Sequence, residues 1–246
     1  MTHPTQALSF GAAAADYDRF RPRYPEAAVR WALDGLDAPV RVVDLGAGTG
    51  ILSRALLALG HEVVPVEPDP GMRAQLAAAT PGVTALAGSA ESVPLPDGAA
   101  DAVLVGQAYH WFDREPTHRE IARVLRPGGV FAPIWNTRDE RVAWVAELSR
   151  IAHLDDNAGD VTERYGEFGP AFEAAELGEF GHATVLTPDE VVGMLHTRSY
   201  WLTASRQEQD RIDRELWDLF ATQPDVAGRA TVELPYRTVV FRARRR

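Results

Sequence analysis

The chain has 246 residues, a net charge of −10 and 46% hydrophobic residues, enough for one large α/β domain with a cap or for a domain and a small partner. It contains no cysteine, which excludes disulfides, thiolate nucleophiles, cysteine zinc sites and iron–sulfur clusters. The acidic balance argues against nucleic acid as a partner, and no window approaches the roughly 20 apolar residues of a membrane span, so the simplest address is cytoplasmic.

From Val40 onward, strand-length apolar runs alternate with helix-length amphipathic stretches, the pattern of βαβ units around a parallel sheet. Strands are expected at Arg41–Leu45, Glu62–Val66, Val83–Leu86, Asp101–Gly106 and Val130–Trp135, nearly continuous in apolar character as befits strands covered on both faces. Between them, Ile51–Leu59 reads as a helix closed by Gly60, and Pro70–Ala79 as one opened by a proline whose missing N–H costs nothing there. Thr117 with Glu120 has the spacing of a capping box, and Pro127-Gly128-Gly129 turns the chain into the fifth strand. Beyond Asn136 the rhythm breaks. A helix over Arg141–Ala152 runs into the polar loop Asp155–Asp160, and further helices start at the capping boxes Thr187/Glu190 and Ser205/Glu208, the second running to about Thr222. Thr231–Arg242 reads as one or two final strands bent at Pro235, and the cluster Arg242, Arg244, Arg245 and Arg246 as a solvated tail. These shifts divide the chain into residues 1–38, a core over 39–136, and 137–246, which holds a helical cap and the closing strands.

The segment Asp44-Leu45-Gly46-Ala47-Gly48-Thr49-Gly50 lies where a strand gives way to a helix. Its three glycines allow backbone N–H groups to approach a ligand with no Cβ in the way. A dinucleotide fingerprint would place a small residue at position 51, where this chain has Ile51, and a P-loop would need a lysine after the glycines. Both are disfavoured. Glu67 ends the second strand, where a carboxylate can accept hydrogen bonds from both hydroxyls of a ribose. The ligand therefore carries a ribose and lacks a pyrophosphate.

With these residues in place, the stretch from about Asp16 to Trp135 resembles the class I S-adenosylmethionine-dependent methyltransferases, in their small-molecule branch (methyltransferase type 11-like). The resemblance implies a Rossmann-like, doubly wound and mostly parallel sheet of about seven strands, with a helical N-terminal lid and a helical insertion after the fifth strand. It implies S-adenosyl-L-methionine as cofactor, with Asp44, Gly46, Ala47, Gly48, Thr49 and Gly50 along its methionine part and Glu67 on its ribose, and with Pro68 or Met72 packed on its adenine. Gly88 to Pro96 matches the family's third element, so the adenine amino group falls to Ser89, to Glu91 or to backbone around Ala90. The fourth strand's end, at Gln107 and Ala108, resembles the strand end that faces the sulfonium in this family, and Leu125 to Gly129 matches the turn before the fifth strand. Within residues 16–25, Tyr17, Arg21 and Tyr24 match lid positions: Tyr17 and Arg21 on the cofactor's carboxylate side, Tyr24 toward the acceptor.

Methyl transfer from a sulfonium needs alignment, exclusion of water and management of one proton, so the site requires no dedicated nucleophile. His110 is the first catalytic candidate, because an imidazole can take or orient a proton near neutral pH. Trp111 beside it, and Trp135 at the end of the fifth strand, are candidates for walling a small organic acceptor. Further specificity is expected from the region holding Trp144, Tyr165, Phe168, Phe172 and Trp201. No metal-ligand spacing is evident. The favoured reading is transfer to an O, N or C atom of a small molecule. Modification of tRNA or protein and non-catalytic cofactor binding are the alternatives.

Overall fold

The computed structural model describes residues 21–152, 166–196, 201 and 203–246. Tyr17, Tyr165 and the polar loop Asp155–Asp160 lie outside the described residues. Among these residues the strands are β1 (Arg41–Leu45), β2 (Glu62–Val66), β3 (Ala100–Gly106), β4 (Leu125–Arg138), β5 (Glu176–Leu186) and β6 (Val232–Arg244). They form a six-stranded sheet in the order β2-β1-β3-β4-β6-β5. The β2-β1-β3-β4 part is parallel, and β6 enters antiparallel between β4 and β5. The described helices are α1 (Glu26–Leu33), α2 (Ile51–Ala58), α3 (Pro70–Ala79), α4 (Arg114–Val124), α5 (Ala143–Ile151), α6 (Pro188–His196) and α7 (Arg206–Thr222).

Side chains of successive strand residues part to opposite faces, and the core divides accordingly. Val42, Ala102, Leu104, Ala132 and Ile134 pack with α1 and α2 on one face. Val43, Val103, Val105, Phe131 and Trp135 pack on the other with α4 and the rings of Phe168 and Phe172. A third cluster joins α5, α6 and α7 to Leu234 and Tyr236 of β6. No helix among the described residues is long and apolar enough to cross a membrane.

Where the sheet departs from the sequence expectation, the reasons are local. Val83–Leu86 makes a single bridge to Val66, through Leu86 N–H to the Pro65 carbonyl and Glu67 N–H to the Leu86 carbonyl. The preceding rung would need an N–H from Pro65, which has none, so the would-be strand stops at one residue and the sheet has six strands. β5 has no counterpart in the sequence reading. Its apolar alternation is broken by Gly178 and Gly181, because it is an edge strand with one side in solvent. Gly178 sits in a tight place there, since a Cβ would lie 3.0 Å from the Trp31 ring of α1 and from the Phe180 ring.

The Thr117/Glu120 box also proves to be helix interior. α4 begins at Arg114, with Asp113 at its N-cap position, and tolerates Pro116 in its first turn; Glu120 accepts instead from Val93 N–H and pairs with Arg123. The C-terminal arginines are not a frayed tail. Arg242 is 8% exposed, lies 4.3 Å over the Trp31 ring and donates to Glu176, and the guanidinium groups of Arg245 and Arg246 cap the carbonyls of Leu125 and Phe172.

Candidate functional site

The carboxyl ends of β1, β2 and β3 lie side by side, and the candidate residues sit on the loops that leave them. The β1 loop is tied down by Gly46 and Ala47 N–H groups, both donating to the carbonyl of Val66. Gly46, Gly48 and Gly50 all take positive φ, at 71°, 56° and 82°. Two of the three also have no room for a side chain. A Cβ on Gly46 would lie 2.9 Å from the Ala108 methyl and 3.2 Å from Phe112, and one on Gly50 would lie 2.8 Å from Leu76. At Gly48 a Cβ would meet nothing within 4 Å. The loop is thus packed against protein on both flanks and open at its crest, which leaves a cradle for a ligand lying on the main chain.

Glu67 binds the same loop from β2. Its Oε2 accepts from Gly48 N–H at 2.9 Å and its Oε1 from Asp69 N–H at 2.9 Å. Each oxygen keeps one lone-pair direction for a further donor. Burial pushes the Glu67 carboxyl above its usual range, against the pull of these two N–H groups. Asp69 then caps α3 by accepting from Met72 N–H, so Glu67, Pro68 and Met72 are fixed as one short turn. Pro68 is exposed and Met72 buried.

Asp44 is 1% exposed at the end of β1. Its Oδ2 accepts from the Ser53 hydroxyl at 2.6 Å, while its Oδ1 is buried without a hydrogen-bond partner. Burial drives its pKa up to about 7, opposed by the Ser53 hydrogen bond. An orphaned buried carboxylate oxygen beside an open glycine crest suits a ligand that brings a positive group or a donor. Ser53 escaped the sequence reading; its only signal is its place in the first turn of the helix that follows the loop.

On the third loop, Ser89 and Ser92 pair in a one-rung antiparallel bridge, Ala90 is buried, and Glu91 accepts weakly from Asp113 N–H at 3.4 Å. Gln107 follows β3 with φ of 59°, held by its N–H to the Ile134 carbonyl. Ala108 touches the glycine loop through Gly46, so the β1 and β3 loops form one wall. The turn Tyr109–Trp111 then splits its side chains. Tyr109 points into the core, its hydroxyl 2.5 Å from His118 Nε2. His110 and Trp111 stay at the surface, rings 4.7 Å apart, with Trp111 38% exposed. Although its surface is exposed, the His110 imidazole is crowded enough that desolvation lowers its pKa to about 4. It is therefore neutral at physiological pH.

Tyr24 lies against the end of β3, its hydroxyl 2.6 Å from where a Gly106 Cβ would be, and Arg21 is half-buried at the start of the described chain. Trp135 is 3% exposed, its ring 6.0 Å from both Tyr109 and Phe241. Trp144, Phe168 and Phe172 are buried in the clusters described above, and Trp201 stacks on His196 at 3.8 Å.

Residues 43–132 match the family model of a methyltransferase domain. An uncharacterized methyltransferase of Mycobacterium tuberculosis is 42% identical over 237 residues, covering 96% of each chain. An uncharacterized methyltransferase-like protein of Schizosaccharomyces pombe is 31% identical, covering 98% of this chain and 97% of its own. Among solved structures, one assigned as a type II methyltransferase from Anaeromyxobacter dehalogenans superposes with a TM-score of 0.70 at 29% identity, over 92% of this chain and 98% of that one.

Proposed function

The chain belongs to the class I S-adenosylmethionine-dependent methyltransferases, and on that premise we propose that it methylates an O, N or C atom of a small-molecule acceptor at the carboxyl edge of β1, β2 and β3. The observation that carries the cofactor half of this reading is the open crest at Gly48 between the Asp44 and Glu67 carboxylates. In it, Asp44 and residues 46–50 hold the methionine part of S-adenosyl-L-methionine and Glu67 the ribose. Pro68 or Met72 packs on the adenine, while Ser89, Ala90 and Glu91 border its amino edge. Gln107 and Ala108 close the wall, and Arg21, with Tyr17 beyond the described residues, serves the cofactor's carboxylate. Bound there, the cofactor supplies a methyl carbon already activated by a sulfonium.

The chain's own part is alignment and proton handling. A neutral His110 orients the acceptor by accepting a hydrogen bond, and at a pKa of about 4 it is a weak store for the released proton. Tyr24 and Trp111 border the acceptor side, while Trp135, 3% exposed between Tyr109 and Phe241, belongs to the core on the other face of the sheet. Residues 39–136 carry the cofactor, residues 1–38 are assigned as its lid, and residues 137–246 complete the sheet and shape acceptor choice.

Charge supports a small acceptor over a nucleic acid. The net charge is −10, and several arginines on the described surface are paired with acids, among them Arg41 with Glu62, Arg126 with Asp101, Arg150 with Glu147 and Arg237 with Glu179. An acidic chain of this kind lacks the clustered excess of cations that binding a phosphate backbone needs. Incubating the protein with methyl-tritiated S-adenosylmethionine and separate small-molecule, RNA and protein fractions tests the proposal. Label in the small-molecule fraction is expected. Label in RNA or protein would overturn the acceptor class, and binding without transfer to any fraction would favour a non-catalytic module.

A further inference from the structure

Both residues that flank the end of β3 are tied to one residue that the glycine-loop reading does not use, one through its side chain and the other through its backbone carbonyl. Asn136, half-buried on β4, points its Nδ2 at the carbonyl oxygens of Pro22 and Arg23, each 3.3 Å away. Carbonyls only accept, so the nitrogen end must face them, and Oδ1 is left for the Thr238 hydroxyl at 2.6 Å. Thr238 is fully buried opposite Asn136 in the β4–β6 ladder. Its one hydroxyl hydrogen goes to Asn136, so its oxygen accepts from His182 Nδ1 on β5, 3.3 Å away. The backbone carbonyl of Asn136 in turn accepts from Gln107 Nε2 at 2.8 Å.

These bonds converge on two residues at the site. Gln107 is the non-glycine residue with positive φ among the described residues, a backbone state that persists only where the surroundings hold it. Pro22 and Arg23 lead directly into Tyr24, which covers Gly106. The geometry points to Asn136 as a positioning residue that fixes Tyr24 and Gln107 as one unit, and so sets the acceptor side of the site. This inference rests on the reading that the carboxyl edge of β3 is the cofactor and acceptor site. Only an amide serves both ends: a carboxylate loses the two donors and sets a charge against two carbonyls, and an alanine loses everything but the backbone bond.

The test uses the full chain, with hydrogen exchange read by mass spectrometry over residues 22–25 and 106–110, calorimetric titration with S-adenosylhomocysteine, and thermal unfolding. By loosening residue 136, and with it the backbone carbonyl that Gln107 binds, Asn136→Asp and Thr238→Val are expected to raise exchange in both segments together and to weaken S-adenosylhomocysteine about tenfold, the scale of one lost buried hydrogen bond. Thr238→Ser keeps the hydroxyl and is expected to stay within about twofold of the parent. If Asn136→Asp does not fold, the Thr238 pair carries the test alone. Exchange rising in one segment without the other, or in neither, or Val and Ser behaving alike, would overturn the inference. A parent chain that exchanges as described but does not bind S-adenosylhomocysteine would refute the cofactor reading instead, and the exchange data would still decide whether the two segments are coupled.

Discussion

Gly46→Ala and Gly48→Ala look alike in sequence, and the structure separates them. At Gly48 the added methyl meets no protein atom within 4 Å, so its stability cost is that of a left-handed alanine, about 1 kcal/mol. For a chain of this size that lowers Tm by about 2–4 °C. The Gly48 N–H still reaches Glu67, so the loop keeps its anchor. The methyl does, however, stand in the crest where the cofactor is placed, and affinity for S-adenosylhomocysteine should fall by about two orders of magnitude, roughly 3 kcal/mol. Gly46→Ala reverses the balance. Its methyl would lie 2.9 Å from the Ala108 Cβ and 3.2 Å from Phe112, adding an overpacking cost of about 1–3 kcal/mol to the backbone strain. Thermal unfolding and calorimetry on both variants provide the assay. If Gly48→Ala binds S-adenosylhomocysteine as the parent does, or loses more stability than Gly46→Ala, the assignment of the open crest to the ligand is refuted.

Three further outcomes follow. Glu67→Gln presents one acceptor oxygen where two N–H groups now bind, so cofactor affinity should fall at least tenfold, about 1.4 kcal/mol, by calorimetry; an unchanged affinity would remove Glu67 from the ribose contact. Asp44 holds its proton in the folded chain up to about pH 7 and loses it near pH 4 when unfolded, so the ligand-free protein should lose stability as pH rises from about 4 to about 7. Denaturant unfolding across that range should show this slope, and Asp44→Asn should flatten it; identical profiles would contradict the buried-acid assignment. His110→Ala should leave S-adenosylhomocysteine binding intact and slow transfer once an acceptor is known. The parent's rate should then show no inflection near pH 6.5 that disappears in this variant, because His110 is already neutral there. Equal loss of binding and transfer would make His110 a cofactor contact.

Features encoded by one residue's covalent geometry were legible in the sequence. The left-handed close of α2 at Gly60, the side-chain-free glycine loop at 46–50 and the start of α3 at Pro70 follow from the absence of a Cβ or of an N–H at those positions. The parallel strands β1 and β2 were read residue for residue from their short apolar runs, although β2 lies at the sheet's edge and is only partly buried. What escaped depends on partners distant in the chain. β5 is specified by its neighbour β6 and by Trp31, and its own alternation is diluted by its wet edge and two glycines. The shortening at Val83–Leu86 is caused by Pro65, a residue of the other strand. In the site, the glycine loop announced itself, whereas the Asn136 network joins residues 22, 107, 136, 182 and 238, a set with no local spacing to read. Thr117 and Glu120 show the opposite failure: their local pattern was correct for a capping box, and helix α4 had already begun at Arg114.

The central claim is that the loop from Asp44 to Gly50, together with Glu67, holds the methyl donor. Calorimetric titration of the purified chain with S-adenosylmethionine, S-adenosylhomocysteine and NAD tests it most directly. Saturable one-site binding of the first two, with none of NAD, is the expected result. Absence of heat with both sulfur ligands at about millimolar concentration, where even an affinity of about −4 kcal/mol would register, would contradict it.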